Sequence, residues 1–66
     1  MQIVLNGEPF DIAPNTTAHQ LVGQLGLENK RFAMEINGEI LPRGEHTDHR
    51  FRAADQVEVV GAIGGG

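Results

Sequence analysis

The chain has 66 residues, 39% of them hydrophobic and 21% charged, which suits one small globular domain without a deep catalytic cleft. Its net charge is −4, and its five Lys and Arg residues form no cluster of the kind that counterion-release binding to nucleic acid needs. It has no cysteine, hence no disulfide framework or thiol nucleophile, and no apolar run long enough to span a bilayer.

From Met1 to Ile12, two short runs rich in apolar residues flank Asn6-Gly7. Both turn residues tolerate positive φ, so the segment predicts a β-hairpin with a type I′ turn. Strand alternation puts Met1, Ile3 and Leu5 on one face, with Phe10 and Ile12 meeting the same core from the second strand. Pro9 lacks an N–H and belongs near a strand start or on an unpaired side.

After the loop Ala13–Thr16, Thr17 and Gln20 have the spacing of a capping box. Leu21, Val22 and Leu25 mark one helical face, and Gly26 is a natural stop, so a helix is predicted over Ala18–Leu25 with Leu27 packing just beyond it. Gly23 weakens this helix by roughly 1 kcal/mol relative to Ala, so it must depend on docking against a sheet.

Phe32-Ala33-Met34-Glu35-Ile36 alternates again, and a second Asn-Gly turn, Asn37-Gly38, leads into Glu39-Ile40-Leu41-Pro42. Arg43 to Arg50 is polar and reads as a loop or a short helical turn. Gln56–Val60 alternates as a last strand, with Val57 and Val59 inward and Val60 outward. The order ββ-α-ββ-β predicts an α+β fold, one helix on one face of a small mixed sheet. Periodicity stops after Val60, dividing the chain into a body, residues 1–60, and a flexible tail, residues 61–66.

That tail, Gly61-Ala62-Ile63-Gly64-Gly65-Gly66, reaches ~20 Å when extended. Glycines without Cβ atoms suit either a plain frayed end or a thin probe that threads a narrow channel in another protein. In the second reading the reactive group is the α-carboxylate of Gly66, ionised at neutral pH and a poor electrophile until ATP converts it to an acyl-adenylate. A sulfur nucleophile displacing AMP would give a thiocarboxylate; an amine or a thiol would give an amide or a thioester. No P-loop and no G-x-G-x-x-G is present, so ATP and Mg must be handled by a partner, and no cofactor is expected on this chain.

Four segments stand in this order and spacing: Met1-Gln2-Ile3 with Asn6-Gly7; Thr17-Ala18-His19-Gln20-Leu21; Glu35-Ile36-Asn37-Gly38-Glu39-Ile40-Leu41-Pro42-Arg43; and Asp55–Val60 leading into the glycines. Together they resemble the ThiS family, the small sulfur carriers of thiamin biosynthesis. The resemblance implies a β-grasp, ubiquitin-like fold. It also implies a ThiF-like enzyme that adenylates Gly66, a persulfide made by a cysteine desulfurase, and a ThiG-like thiazole synthase that consumes the thiocarboxylate. Carried onto this sequence, Gly66 bears the reactive carbonyl, Gly65 gives the slim approach and Gly64 is a further spacer. The chain is then a carrier and not an enzyme, expected to be cytoplasmic and monomeric when free. Relatives with the same chemistry, the molybdopterin synthase small subunit and protein modifiers, are the alternatives, as is a plain β-grasp interaction module. The family commonly has Gly in the turn before the last strand, where this chain has Ala53-Ala54-Asp55. Either that turn needs positive φ and Ala54 is strained, or the turn has another geometry.

His46 and His49, with Asp48 between them, are too few for a zinc site and read as a solvated polar loop; His19 lies apart on the helix. Glu35, Glu39, Glu45 and Glu58 read as a charged outer face. Outward Val60, with Val4 near it and Ala62 and Ile63 following, forms a candidate docking patch for a partner that grips the body while taking the tail.

Overall fold

The computed structural model describes residues 1–61. Two hairpins form where alternation meets Asn-Gly: β1 (Gln2–Leu5) with β2 (Glu8–Asp11), and β3 (Phe32–Ile36) with β4 (Glu39–Ile40). Asn6 and Gly7 have φ of 50° and 85°, and Asn37 and Gly38 have 53° and 86°, the positive pair that a type I′ turn demands. The last strand, β5 (Gln56–Gly61), lies between the hairpins, giving the sheet order β2-β1-β5-β3-β4. It runs parallel to β1 and antiparallel to β3. Pro9 sits on β2, an edge strand, where a missing N–H costs least.

The helix α1 (Ala18–Gln24) starts on the expected capping box. Thr17 Oγ1 accepts from Gln20 N–H at 3.1 Å, and Gln20 Oε1 accepts from Thr17 N–H at 2.9 Å. It ends in a Schellman motif, with Leu27 N–H donating to Val22 O and Gly26 N–H to Gly23 O, and Gly26 at φ 72°. Leu25 is the cap, so the helix is one residue shorter than its sequence suggests. At seven residues it could not persist alone, and its buried face of Ala18, Leu21 and Val22 secures it to the sheet. Opposite lie Ile3, Ile12, Met34 and Val57, all buried, while Met1, Leu5, Phe10, Leu27 and Val59 pack around them half-exposed.

The segment between β4 and β5 opens with the short helical turn expected, a 3-10 turn over Arg43–Glu45, but departs from expectation in its burial, with His46 only 6% exposed. His46 is therefore a packed histidine and not part of a solvated loop. Its ring stacks on Phe32 with centroids 5.8 Å apart, and its Nε2 lies 3.3 Å from Leu41 O. Phe51 is buried too; its N–H donates to Thr16 O, and the His49 carbonyl accepts from Ala18 N–H beside the helix start. Strand β5 also continues one residue further than alternation indicates. Gly61 pairs with Phe32 through the backbone ladder, which needs no side chain. No helix among the described residues is long and apolar enough to cross a membrane.

Ala54 has φ 68°, so of the two alternatives for the Ala53-Ala54-Asp55 turn it is the positive φ that holds, in a region unfavourable to alanine. The turn is fastened around it: Ala54 N–H donates to Gln2 O, Asp55 N–H to Arg52 O, and Arg52 N–H to Asp55 Oδ2. Glycine adopts this φ without the Cβ clash that costs an L-residue about 1–2 kcal/mol. Ala54→Gly is expected to raise stability by about 1 kcal/mol, a rise in Tm of several degrees. A Tm equal to or below that of the parent in thermal unfolding contradicts this.

Candidate functional site

The site is built around β5, because this strand delivers the chain to the glycine end. It is held from both sides by side chains as well as by the ladder. Asn6 Oδ1 accepts from Val59 N–H at 2.9 Å, and Asn6 N–H donates to Val57 O at 2.8 Å. Strand β1 ends at Leu5, so the Asn6 amide replaces the ladder partner that Val59 would otherwise lack. At the other end Asn37 Oδ1 accepts from Gln56 N–H at 3.0 Å, and Asn37 Nδ2 donates to Asp55 Oδ1 at 3.1 Å. Each asparagine thus does two jobs, adopting positive φ in its turn and fixing the register of β5.

The sheet has one face under α1 and one face open. Val57 is buried and Val59 packs against the core, so Gln56, Glu58 and Val60 point outward. Cross-strand register brings Val4, Ala33, Glu35 and Ile40 to the same open face. Val60 and Ile40 are 62% and 67% exposed, the two large apolar side chains most open to solvent among the described residues. Val4 shares this face but is not beside Val60: it pairs with Gln56, four residues earlier on β5, or ~13 Å along the strand. The neighbour of Val60 is Ala33, while Val4 lines a shallow depression with Gly7, Glu35, Gln56 and Glu58. Ile40 belongs to the patch and escaped sequence reasoning, because its facing follows from pairing with Glu35 and not from any period in a two-residue strand.

The four carboxylates singled out in the sequence do not converge. Glu35 and Glu58 are directly opposed on β3 and β5; Glu39 pairs with Ile36 in the short hairpin, and Glu45 lies on the 3-10 turn. Like charges in direct opposition weaken a sheet. The histidines are engaged elsewhere, His46 against Phe32 and Leu41 O, and His49 edge-on to Phe51 at 5.4 Å. No group of three or more His, Cys, Asp or Glu among the described residues is placed to hold a metal ion. Ala62, Ile63, Gly64, Gly65 and Gly66 lie outside the described residues.

Residues 3–66 match the ThiS family. The chain is 33% identical over 66 residues to the sulfur carrier protein ThiS of Escherichia coli, covering all of both chains. It is 35% identical, again over its whole length, to a thiazole synthase of Paramagnetospirillum magneticum, but spans only 20% of that protein. The fold superposes on the crystal structure of the thiamine biosynthesis protein ThiS from Geobacter metallireducens with a TM-score of 0.84 and 28% identity, covering all of both chains.

Proposed function

Because this chain belongs to the ThiS family, with a β-grasp fold, we propose that it is a protein co-substrate that carries sulfur on Gly66 for thiamin thiazole formation. The observation that supports this most is a family match that runs through the body and on to Gly66, on a fold whose last described strand, β5, is fastened up to Gly61. The Gly66 carboxylate attacks the α-phosphorus of Mg-ATP on a ThiF-like enzyme; pyrophosphate leaves and an acyl-adenylate forms. A sulfur nucleophile then adds at the carbonyl carbon and AMP departs. When the nucleophile is a persulfide, an acyl disulfide results, and a second thiol must supply two electrons to free the thiocarboxylate. This chain has no cysteine, so that thiol belongs to a partner. Gly65 and Gly64 keep the approach thin.

The likeness of the whole chain to a stretch within a protein called thiazole synthase favours such a ThiG-like synthase as the consumer of the sulfur. It also favours that destination over the molybdopterin branch. The open sheet face suits the gripping surface: exposed Val60 and Ile40 give apolar anchors. The opposed Glu35 and Glu58 are a pairing that docking explains better than stability does.

Two results test this reading. Adding the chain to a competent ThiF-like enzyme should switch on ATP–pyrophosphate exchange; no exchange, with an enzyme active on another carrier, overturns it. Val60→Glu should lower kcat/KM for that exchange about tenfold or more, the loss of one interface anchor, with Tm within about 2–3 °C of the parent. Unchanged kinetics would remove Val60 from the docking surface.

A further inference from the structure

The five cationic side chains fall in three stretches, Lys30-Arg31, Arg43 and Arg50 with Arg52, and the fold brings the first two of these together where β5 ends. Strand β3 runs antiparallel to β5 with Phe32 opposite Gly61, so Lys30 and Arg31 arrive at the root of the glycine segment. The Arg31 carbonyl lies 3.8 Å from where a Cβ on Gly61 would stand. Arg43 comes to the same place from the 3-10 turn. Its guanidinium sits 4.5 Å over the Phe32 ring, and its Nη2 donates to Lys30 O at 3.2 Å. All three side chains are exposed. Arg52 is fastened through its backbone to Asp55, at the opposite end of β5, and Arg50 bridges Thr17.

A protein of net charge −4 therefore has a basic pole around the exit of its tail, and an acidic pair, Glu35 and Glu58, on its open sheet face. Glu45, on the same turn as Arg43, is the acidic neighbour on that element. Stacking and the Lys30 contact hold Arg43 in place before any partner arrives, so little side-chain entropy remains to be lost. Only one of its five N–H donors is needed for Lys30 O, which leaves a fork suited to a carboxylate. A nucleotide phosphate is the less suitable occupant. Five residues can reach ~16 Å when drawn out, so a nucleotide reacting at Gly66 inside a channel that holds the tail extended would be far from side chains at the root.

We propose that Lys30, Arg31 and Arg43 form a docking surface for carboxylates that rim the opening through which an enzyme takes the glycine end. This deepens the carrier reading and rests on it. The basic pole orients the approach, so that the tail meets the opening first while the open sheet face swings onto its own contact surface.

The test uses the full chain with a competent ThiF-like enzyme, reading chain-dependent ATP–pyrophosphate exchange at low salt and at about 0.5 M NaCl. The double variant Lys30→Glu with Arg31→Glu should raise KM about tenfold or more at low salt with kcat nearly unchanged, and the gap should narrow at high salt. The control pair Arg50→Glu with Arg52→Glu, at the far end, should leave KM near the parent value. Far-UV circular dichroism and Tm verify that both pairs fold. Parent exchange with an unchanged KM for the first pair overturns the basic pole and leaves the carrier reading standing. Equal losses from both pairs also overturn it, as an effect of total charge. No exchange by the parent overturns both.

Discussion

Deleting Gly65 and Gly66 is expected to abolish adenylation while leaving the body folded. The core runs from Ile3 to Val57, so far-UV circular dichroism and Tm should match those of the full chain. The new terminal carboxylate stands about 7 Å short of the reacting position. Misplacement by as little as 1 Å can cost about a hundredfold, so exchange should fall by more than about a thousandfold. Binding to the activating enzyme through the sheet face and basic pole should survive, making the truncated chain an inhibitor. A truncated chain that still supports exchange contradicts the carrier role and favours a plain interaction module.

Leu21→Ala has the largest expected effect on stability. Leu21 is fully buried, central on α1, and faces the sheet. Truncating such a leucine costs about 3–5 kcal/mol, through lost transfer free energy and the cavity left behind. A domain this small has only about 3–5 kcal/mol in reserve. A seven-residue helix cannot make up the difference by itself. The variant should therefore be largely unfolded at 37 °C, with loss of the cooperative thermal transition and of exchange together. A transition within a few degrees of the parent would show that the helix–sheet contact matters far less than its burial implies. Val60→Glu is the opposite case, with the fold kept and recognition lost.

Most of the fold was legible because its signals are local. Both Asn-Gly turns, the Thr17–Gln20 capping box, the Gly26 stop and the inward Val57 each depend on a few adjacent residues and one periodicity. Other features escaped because they depend on residues distant in sequence. His46 and Phe51 lie in a stretch without a period, and only its packing beside α1 and Phe32 buries them. The Asn6 and Asn37 contacts to β5 span 53 and 19 residues, invisible to any window. The same holds for the basic pole, where Arg43 reaches Lys30 across 13 residues. Resemblance to ThiS pointed to the segment Pro42-Arg43 without a reason for it. Stacking of Arg43 on Phe32, opposite Gly61, supplies a physical one.

The glycine end was legible as chemistry and not as geometry. Composition alone left a frayed terminus and a threading probe as competing readings, since glycine serves both. The family match through residue 66 supports the probe. Ala54 is the position where this chain trades stability for an alanine in a turn that glycine fits better.

The most direct test is the intact mass of the chain after incubation with a ThiF-like enzyme, Mg-ATP and a persulfide donor with a reducing thiol. The expected result is the gain that accompanies replacement of one oxygen by sulfur, located at Gly66 by fragmentation and absent without ATP. An unchanged mass, with an enzyme and donor proven on another carrier, would contradict it.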